Sequence, residues 1–162
     1  MTGRLFLMRH GEAVPGHPDR ERKLSDRGLA EAERMADWLG RQALEGARLY
    51  ASPYLRACQT ASPVARTLGV EPEVLPIITP DDSPAVVCDW LLSLEGDIPI
   101  VLVSHMPLVG ALTALLVEGR ADRGIAFPTA AVAELESEVW AAGCARLLRL
   151  TAPHDIRRGS GG

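Results

Sequence analysis

The sequence predicts an α/β fold, a three-layer α/β/α sandwich built on a mostly parallel sheet. Short apolar runs alternate along the chain with longer segments in which apolar residues recur at helical spacing. Such alternation is typical of parallel sheets, because a helix usually crosses over between successive parallel strands. Two late apolar runs are separated by only a short turn. We therefore expect a closing hairpin that adds an antiparallel edge.

The first strand and the first helix are predicted from the opening forty residues. Residues 4–8 form a short apolar block that is typical of a buried strand. A polar loop with proline and glycine follows over residues 12–23. Ser25 has the position of a helix N-cap, and apolar residues then recur at helical spacing until Gly40, near the expected end.

The next segment predicts a short strand followed at once by a helix. Residues 49–51 are the strand candidate, and Ser52-Pro53 has the signature of a helix start. The helix should run to about Leu68. Because Pro63 lies inside it, we expect a kink or break near Ser62.

The second half of the chain repeats this pattern. Residues 73–75 predict a weak strand, and residues 98–103 predict the clearest strand of the chain, after which Pro107 starts a helix. The closing hairpin is expected over residues 132–135 and 145–150. Between the two strands, Asp82-Ser83-Pro84 opens a further helix. Its core-facing residues are expected to be Val86, Val87, Trp90, Leu91 and Leu94.

Length and composition limit the classes of protein. A chain of 162 residues suits one domain, expected over residues 1–153, with a disordered tail over 154–162. The net charge of -4 argues against a nucleic-acid binder, and the apolar runs are too short for a membrane span. The three scattered cysteines suggest reduced thiols rather than disulfides. We therefore expect a cytoplasmic protein without nucleic-acid or membrane partners.

Polar residues of catalytic type directly follow three of the predicted strands. Arg9 and His10 follow the first, Ser52 leads to Arg56 after the second, and His105 follows the strand over 98–103. Ligands of open α/β sheets lie beyond the carboxyl ends of the strands, so these side chains should converge on one crevice. Two arginines and two histidines fit a dianionic ligand, most simply a phosphate.

This set of residues also suggests how phosphate would react. A neutral imidazole can attack phosphorus and carry the phosphoryl group, and nearby cations should hold down the pKa of the attacking ring. The other histidine, in its protonated form, would stabilise charge on the phosphoryl oxygens. Gly11 would allow the backbone to approach the bound group. Helices starting at Pro53 and Pro107 would point free backbone N–H groups at it.

Three segments resemble the histidine phosphatase superfamily, also called phosphoglycerate mutase-like. Arg9-His10-Gly11 after an apolar strand is similar to its R-H-G signature, residues 52–60 are similar to its S-P-x-x-R-A-x-Q-T segment, and His105 matches its late strand-end histidine. The resemblance implies that His10 accepts the phosphate, with Arg9, Arg56 and His105 completing the catalytic pocket. It further implies phosphate or substrate contacts from Gly11, Arg22 and Ser52.

Within that superfamily the chain resembles the short phosphohistidine phosphatases of the SixA type. The small size, the segment over residues 104–110 and the stretch over 127–130 carry this likeness. It implies a minimal fold without a cap domain, and a phosphorylated protein as the substrate, such as a histidine-containing phosphotransfer protein that acts in signal transduction. No cofactor is expected.

A general acid does not stand out in the sequence. Glu12, Asp81 and Asp82 are the candidates, although helix capping also explains the two aspartates. An alkoxide needs a proton donor when it leaves, whereas a phosphorylated imidazole that is already protonated leaves as a neutral ring. The absence of an obvious acid therefore favours phosphohistidine over phosphate esters.

Four alternatives remain at this point. The first is a general phosphomonoesterase or mutase-like enzyme that acts on a small phosphorylated metabolite, and the second is a phosphate-binding module without turnover. The third is a metal hydrolase, although the histidines lack metal-ligand spacing, and we expect no metal. The fourth is a serine hydrolase, for which the G-x-S-x-G turn is missing.

Overall fold

The computed structural model describes residues 2–156 and contains one six-stranded sheet in the order β3-β2-β4-β1-β5-β6. The four strands β1 to β4 are parallel, and β5 and β6 add an antiparallel hairpin beside β1. The strands are β1 (Gly3–Arg9), β2 (Arg48–Ala51), β3 (Pro72–Val74), β4 (Ile100–Ser104), β5 (Val132–Ser137) and β6 (Arg146–Thr151). The predicted mostly parallel sheet with an antiparallel edge is confirmed.

Helices cover both faces of this sheet. They are α1 (Asp26–Leu39), α2 (Leu55–Leu68), α3 (Pro84–Ser93) and α4 (Leu108–Glu118), with three short 3-10 turns at Asp19–Glu21, Ala121–Arg123 and Pro153–Asp155. Two apolar clusters separate the layers: α1 and α2 pack on one face, and α3 and α4 on the other. The predicted three-layer α/β/α sandwich is therefore confirmed, with no cap domain among residues 2–156.

The central strand β1 shows why the sheet is buried on both faces. Successive side chains of a strand point to opposite faces. Accordingly, Leu5 and Leu7 belong to the cluster beneath α3 and α4, whereas Phe6 and Met8 belong to the cluster beneath α1 and α2. All four are fully buried. An uninterrupted apolar run is thus required at this position.

The start and the course of α2 differ from the prediction. The helix begins at Leu55, with Tyr54 at the N-cap position, because the Tyr54 N–H is held in a tight turn by the Ser52 hydroxyl at 3.2 Å. Nor does Pro63 break it, since α2 continues through Leu68. A proline inside a helix costs about 3 kcal/mol. Here Pro63 is itself buried on the packed face of the helix, and that packing offsets the cost.

One predicted core residue of α3 is wrong. Val86 is 48% exposed, whereas Val87, Cys88 and Leu91 form the buried face. The spacing of those three residues defines a stripe that leaves Val86 to one side. Trp90 and Leu94 pack at the margin of the core, as partly buried residues.

The structure describes the chain up to residue 156, three residues beyond the expected end of the domain at residue 153. His154 and Asp155 belong to a 3-10 turn, in which the Asp155 carboxylate accepts a hydrogen bond from the Ala152 N–H at 2.8 Å. The described chain thus continues past the expected boundary at residue 153. Residues 157–162 of the expected tail lie outside the described residues. Over residues 2–156, every helix is too short or too polar to cross a membrane.

Candidate active site

Strand register brings the predicted site residues to one edge of the sheet. Arg9 at the end of β1 pairs with Ser104 at the end of β4, and Ala51 at the end of β2 pairs with Val103 of the same strand. Because these strands are parallel neighbours, the residues that follow them meet beyond their carboxyl ends. The His10 and His105 ring centroids are 5.1 Å apart.

The hydrogen bonds of His10 define which ring nitrogen is free to react. Its Nδ1 lies 2.7 Å from the Gly11 carbonyl oxygen, which can only accept, so Nδ1 carries the proton. In the neutral ring the Nε2 atom then keeps its lone pair. Arg56 Nε donates to this Nε2 at 3.3 Å. The backbone therefore orients His10 as a nucleophile through Nε2.

The surroundings of His10 keep the ring neutral. The pKa of His10 is lowered to about 4, chiefly by burial, and the positive charges of Arg56, Arg9 and Arg22 contribute to the same shift. The hydrogen bond to Gly11 acts in the opposite direction. The predicted effect of the cations on this pKa is present, but desolvation contributes more. His10 is thus neutral near pH 7.

Arg56 is the arginine in direct contact with His10. It is 4% exposed, and its three guanidinium nitrogens are all engaged. In addition to the bond to His10, Nη1 donates to the Asp19 backbone oxygen at 2.8 Å and Nη2 donates to Asp19 Oδ2 at 3.2 Å. The Tyr54 ring lies against the guanidinium, with the carbon 5.1 Å from the ring centroid. The fork is therefore held in one orientation.

Arg9 is a second arginine close enough to His10 for its charge to lower the pKa of that ring. Its Nη1 donates to the Phe127 carbonyl oxygen at 2.7 Å. Within residues 2–156, its buried Nε has no hydrogen-bond partner. Desolvation lowers the pKa of Arg9, although an arginine remains charged at any working pH. A buried cation with a spare donor is a suitable partner for an oxyanion.

His105 is positioned by Ser52. The two side chains are hydrogen bonded, with His105 Nε2 2.8 Å from Ser52 Oγ, and His105 is 1% exposed. Its Nδ1 is buried and has no partner among the described residues. Burial, followed by the charges of His10 and Arg56, lowers the pKa of His105 to about 3. Without a bound anion His105 is therefore neutral near pH 7, and its protonated role beside a phosphoryl group stays a prediction.

Two predicted contact residues support the site rather than line it. Ser52 is fully buried, and its hydroxyl binds His105 and the Tyr54 N–H. Gly11 is needed for a close backbone contact, since a Cβ there would lie 2.6 Å from the Gly28 carbonyl oxygen of α1. Its N–H donates to Thr60 Oγ1 at 3.0 Å. The contact with α1 is thus one reason for glycine at position 11, and the predicted approach of Gly11 to a ligand stays a prediction.

At each of the two helix starts, one backbone N–H group is already engaged within the protein. The Tyr54 N–H is engaged by Ser52, and the Val109 N–H at the start of α4 donates to the His105 carbonyl oxygen at 2.9 Å. Arg22, in contrast, lies close enough to His10 to lower its pKa. Arg22 Nη1 donates to Asp19 Oδ1 at 3.0 Å.

Two of the three candidate acids have their carboxylates in hydrogen bonds. Glu12 Oε2 accepts a hydrogen bond from the Ser25 hydroxyl at 2.7 Å, at the start of α1. Asp82 Oδ2 accepts from both the N–H and the hydroxyl of Thr79, each at 2.7 Å. Asp81 is an exposed residue of the same turn. Turn and helix capping thus account for Glu12 and Asp82.

Sequence reasoning missed two residues of the site. Asp19, from the 3-10 turn inside the predicted loop, binds both Arg22 and Arg56. Thr60 is fully buried and links the Gly11 N–H to the Arg56 carbonyl oxygen. Thr60 belongs to the S-P-x-x-R-A-x-Q-T segment, so the sequence indicated that it lies near the site. The sequence did not indicate its hydrogen bonds to Gly11 and Arg56. Asp19 has no such signal, because an acidic residue in a polar loop is common.

The arrangement has the chemistry of phosphoryl transfer. It combines an unprotonated imidazole nitrogen, at least two guanidinium groups beside it and a second imidazole with an unused ring nitrogen. Guanidinium groups bind phosphate oxygens, and a neutral imidazole can accept the phosphoryl group. Together these properties suit a site for a phosphorylated ligand.

Comparisons with known proteins agree with this geometry. Residues 5–79 match the family model described as histidine phosphatase superfamily (branch 1). The chain is 38% identical to phosphohistidine phosphatase SixA of Escherichia coli over 136 residues, which cover 81% of this chain and 83% of that protein. It is 35% identical to the SixA homolog of Haemophilus influenzae over 144 residues, covering 81% and 86%.

A solved structure gives the same result for the fold. The protein histidine phosphatase SixA, complexed with tungstate, superposes with a TM-score of 0.86 at 34% sequence identity. The match covers 95% of this chain and 99% of that one. Sequence and fold thus agree along nearly the whole described chain. The chain belongs to the histidine phosphatase superfamily (branch 1), among its SixA-type members.

Proposed function

We propose that this chain is a phosphohistidine phosphatase that takes the phosphoryl group from a phosphorylated histidine of another protein onto its own His10. The observation that carries the proposal is the His10 ring itself. The His10 Nδ1–H donates a hydrogen bond to the Gly11 carbonyl oxygen, so Nε2 is the unprotonated ring nitrogen. This Nε2 accepts a hydrogen bond from Arg56 Nε at 3.3 Å. That nitrogen is the nucleophile.

The reaction proceeds in two displacements. The His10 Nε2 lone pair forms a bond to phosphorus, and the bond from phosphorus to the substrate imidazole breaks with its electrons moving to the substrate nitrogen. A water molecule then attacks the phosphorus on His10, releasing inorganic phosphate and the free ring. Arg9 and Arg56 neutralise the phosphoryl oxygens in both displacements.

His105 supplies a further hydrogen bond to the phosphoryl group. If the Ser52 hydroxyl donates to Nε2, the proton of the neutral His105 ring is on Nδ1, the buried nitrogen without a partner among residues 2–156. That N–H is the donor we assign to a phosphoryl oxygen. A bound dianion would also raise the low pKa of His105, because an opposite charge favours the protonated ring.

The state of the candidate acids supports phosphohistidine over phosphate esters. Glu12 and Asp82 have their carboxylates in capping hydrogen bonds, so a proton for a departing alkoxide has no evident source in these two groups. A protonated phosphoimidazole leaves without such help. The relatives support the same substrate, since two SixA proteins are named as phosphohistidine phosphatases, and tungstate in a SixA structure is a tetrahedral oxyanion like phosphate.

We further propose that the substrate is a histidine-containing phosphotransfer protein and that the reaction takes place in the cytoplasm. The crevice lies at an edge of a sheet with no cap domain among the described residues, which suits a protein surface as substrate. Cys58, Cys88 and Cys144 are free thiols, as is usual in a reducing compartment.

Labelling with a phosphodonor tests the proposed intermediate. Incubation with a labelled phosphorylated phosphotransfer protein should transfer label to the wild type in an acid-labile, base-stable form. The His10→Ala variant should take up no label and lose activity by at least about a thousand-fold, because the nucleophile is gone. His154→Ala, an exposed histidine of the last 3-10 turn, is the matched control and should behave as the wild type.

The substrate is tested by comparing kcat/KM for that phosphorylated protein with kcat/KM for a panel of phosphate esters. We expect the phosphohistidine protein to be preferred by at least about a hundred-fold. An equal or higher value for a small ester would replace the proposal with a general phosphomonoesterase. Stoichiometric phosphate binding without turnover would indicate a binding module.

A further inference from the structure

Asp19 is a carboxylate at the mouth of the pocket that the two displacements leave without a role. Its Oδ1 accepts from Arg22 Nη1 at 3.0 Å and its Oδ2 accepts from Arg56 Nη2 at 3.2 Å. The same guanidinium that contacts His10 Nε2 therefore contacts Asp19 with another of its nitrogens. One rigid planar group thus separates this carboxylate from the reacting nitrogen.

The 3-10 turn that carries Asp19 is held against the pocket at several points. The Asp19 backbone oxygen accepts from Arg56 Nη1 at 2.8 Å. The guanidinium carbon of Arg20, the next residue, lies 5.9 Å from the centroid of the Tyr54 ring. Tyr54 in turn makes an edge contact with His105, with ring centroids 5.1 Å apart. The position of Asp19 over the pocket is therefore defined by contacts on both of its sides.

Asp19 keeps acceptor capacity for a ligand. A carboxylate offers about four lone-pair positions, and the arginines occupy one on each oxygen. The side chain is 57% exposed, so the remaining positions are accessible. The hydrogen bond from Arg22 is the largest of the causes that lower the pKa of Asp19, and Arg56 adds to it. The group is thus ionised at neutral pH and serves as an acceptor rather than as an acid.

We propose that Asp19 binds the phosphorylated imidazole of the substrate, accepting a hydrogen bond from the ring N–H that does not carry phosphorus. This inference rests on the proposed function, of which it names one substrate contact. When the phosphorylated ring is protonated, histidine offers such an N–H on the second ring nitrogen, whereas an alcohol or phenol leaving group has none. Asp19 is therefore a specificity residue for imidazole as the leaving group.

The contact assists the first displacement without a proton transfer. While the bond from His10 Nε2 to phosphorus forms, the electrons of the breaking bond stay on the departing ring nitrogen. The other ring nitrogen keeps its proton, which Asp19 holds by the hydrogen bond, and the substrate leaves as neutral imidazole. A negative charge beside that N–H favours the protonated ring, which is the form that departs readily.

The test compares two small substrates in variants that remove the charge. Phosphoimidazole carries the N–H in its protonated form, and 4-nitrophenyl phosphate does not carry one in any form. In Asp19→Asn we expect kcat/KM for phosphoimidazole to fall by about 10-fold to 100-fold more than kcat/KM for the ester, the range for a hydrogen bond to a charged group. Asp19→Ala should give the same change in ratio, so the test does not depend on the folding of one variant.

Glu21→Gln is the matched control, because Glu21 is an exposed carboxylate of the same 3-10 turn. It should leave the ratio at the wild-type value. An equal loss for both substrates in the Asp19 variants would overturn the proposal, since Asp19 would then serve only to orient Arg22 and Arg56. An unchanged ratio with unchanged rates would overturn it as well.

The two proposals fail in different ways. The proposed function fails if the wild type prefers phosphate esters to a phosphorylated protein, whatever the Asp19 variants do. The Asp19 contact fails if the ratio of the two small substrates does not change on removal of the carboxylate, even in an enzyme that prefers phosphohistidine.

Discussion

Two histidines lie side by side in this pocket. In each, the hydrogen-bond partner of one ring nitrogen determines whether the other nitrogen can act as a nucleophile or as a hydrogen-bond donor. His10 donates a hydrogen bond from Nδ1–H to the Gly11 carbonyl oxygen, which leaves Nε2 unprotonated and available to a ligand. His105 is bound through Nε2 to the Ser52 hydroxyl and so presents Nδ1. Both are neutral because burial disfavours the charged ring. The residues that hold these rings are therefore as informative as the rings themselves.

Removing the Ser52 hydroxyl should uncouple His105 from the site. In Ser52→Ala the His105 Nε2 loses its 2.8 Å partner, and the ring is free to take other orientations or the other tautomer. We expect kcat to fall by about 10-fold, the scale of one hydrogen bond, with a smaller change in KM. Steady-state kinetics with phosphoimidazole at pH 7 measures this.

Ser104→Ala is the matched control for the loss of a buried serine hydroxyl. Ser104 Oγ donates to the Ile78 carbonyl oxygen at 2.7 Å and not to either imidazole. This variant should lose about 1 kcal/mol of stability and keep the wild-type kcat. If both serine variants lowered kcat equally, the positioning role of Ser52 would be refuted.

At the scale of elements, the first helix and the loop after β1 are in direct backbone contact. A Cβ on Gly28 in α1 would lie 2.0 Å from the Glu12 carbonyl oxygen, and a Cβ on Gly11 would lie 2.6 Å from the Gly28 carbonyl oxygen. Glycine at both positions lets the loop lie directly on the helix. The same loop carries the Gly11 carbonyl that orients His10. Packing of an element thus determines the geometry of the nucleophile.

Gly28→Ala should therefore destabilise the protein despite its helical position. In an open helix, alanine in place of glycine would gain up to about 1 kcal/mol. At a separation of 2.0 Å the backbone must move, and we expect a net loss of about 2 kcal/mol together with reduced activity. Urea denaturation measures the free energy of unfolding.

Gly16→Ala tests whether the effect is specific to this contact. Gly16 lies in the loop between β1 and α1, and a Cβ there would meet only Arg22 Cγ, at an ordinary 3.8 Å. Its free energy of unfolding should stay within about 0.5 kcal/mol of the wild type. If Gly16→Ala lost as much unfolding free energy as Gly28→Ala, any added side chain in the loop would destabilise the protein, and the contact with α1 would not be the cause.

At the scale of the whole molecule, two buried neutral histidines should make the fold sensitive to acid. Their pKa values are about 4 for His10 and about 3 for His105, below the ordinary 6.5 that we take for the unfolded chain. Between these values the unfolded chain binds more protons than the folded protein. Their contribution to stability is therefore full above pH 6.5 and is lost as the pH falls toward 3.

The His105→Gln variant isolates one of these two contributions. For the wild type, His105 alone should cost about 2 kcal/mol between pH 7 and pH 4.5, since one pKa unit corresponds to about 1.4 kcal/mol. His105→Gln should show a correspondingly smaller loss over that interval, measured by urea denaturation at both pH values. His154→Gln, at an exposed position, should follow the wild type. An identical pH dependence in His105→Gln would contradict the assignment.

Much of the fold was predictable, because its central elements have one dominant physical requirement. The apolar runs that became β1 and β4 are buried on both faces, and no other short element needs such a run. Ser25 caps α1 as predicted, with its hydroxyl accepting from the Gly28 N–H at 3.0 Å. The start of α2 and the passage of Pro63 through it were not predictable, because tertiary packing outweighed local preference.

The sequence by itself determined the layered α/β fold and the side chains that gather at the strand ends: Arg9, His10, Arg56 and His105. It could do so because apolar periodicity and strand ends are local features that parallel pairing converts into proximity. Only the tertiary structure decided which ring nitrogen is free, that both imidazoles are neutral, and that Asp19 reaches the arginines. Those properties depend on burial and on partners distant in the chain, which no local pattern encodes.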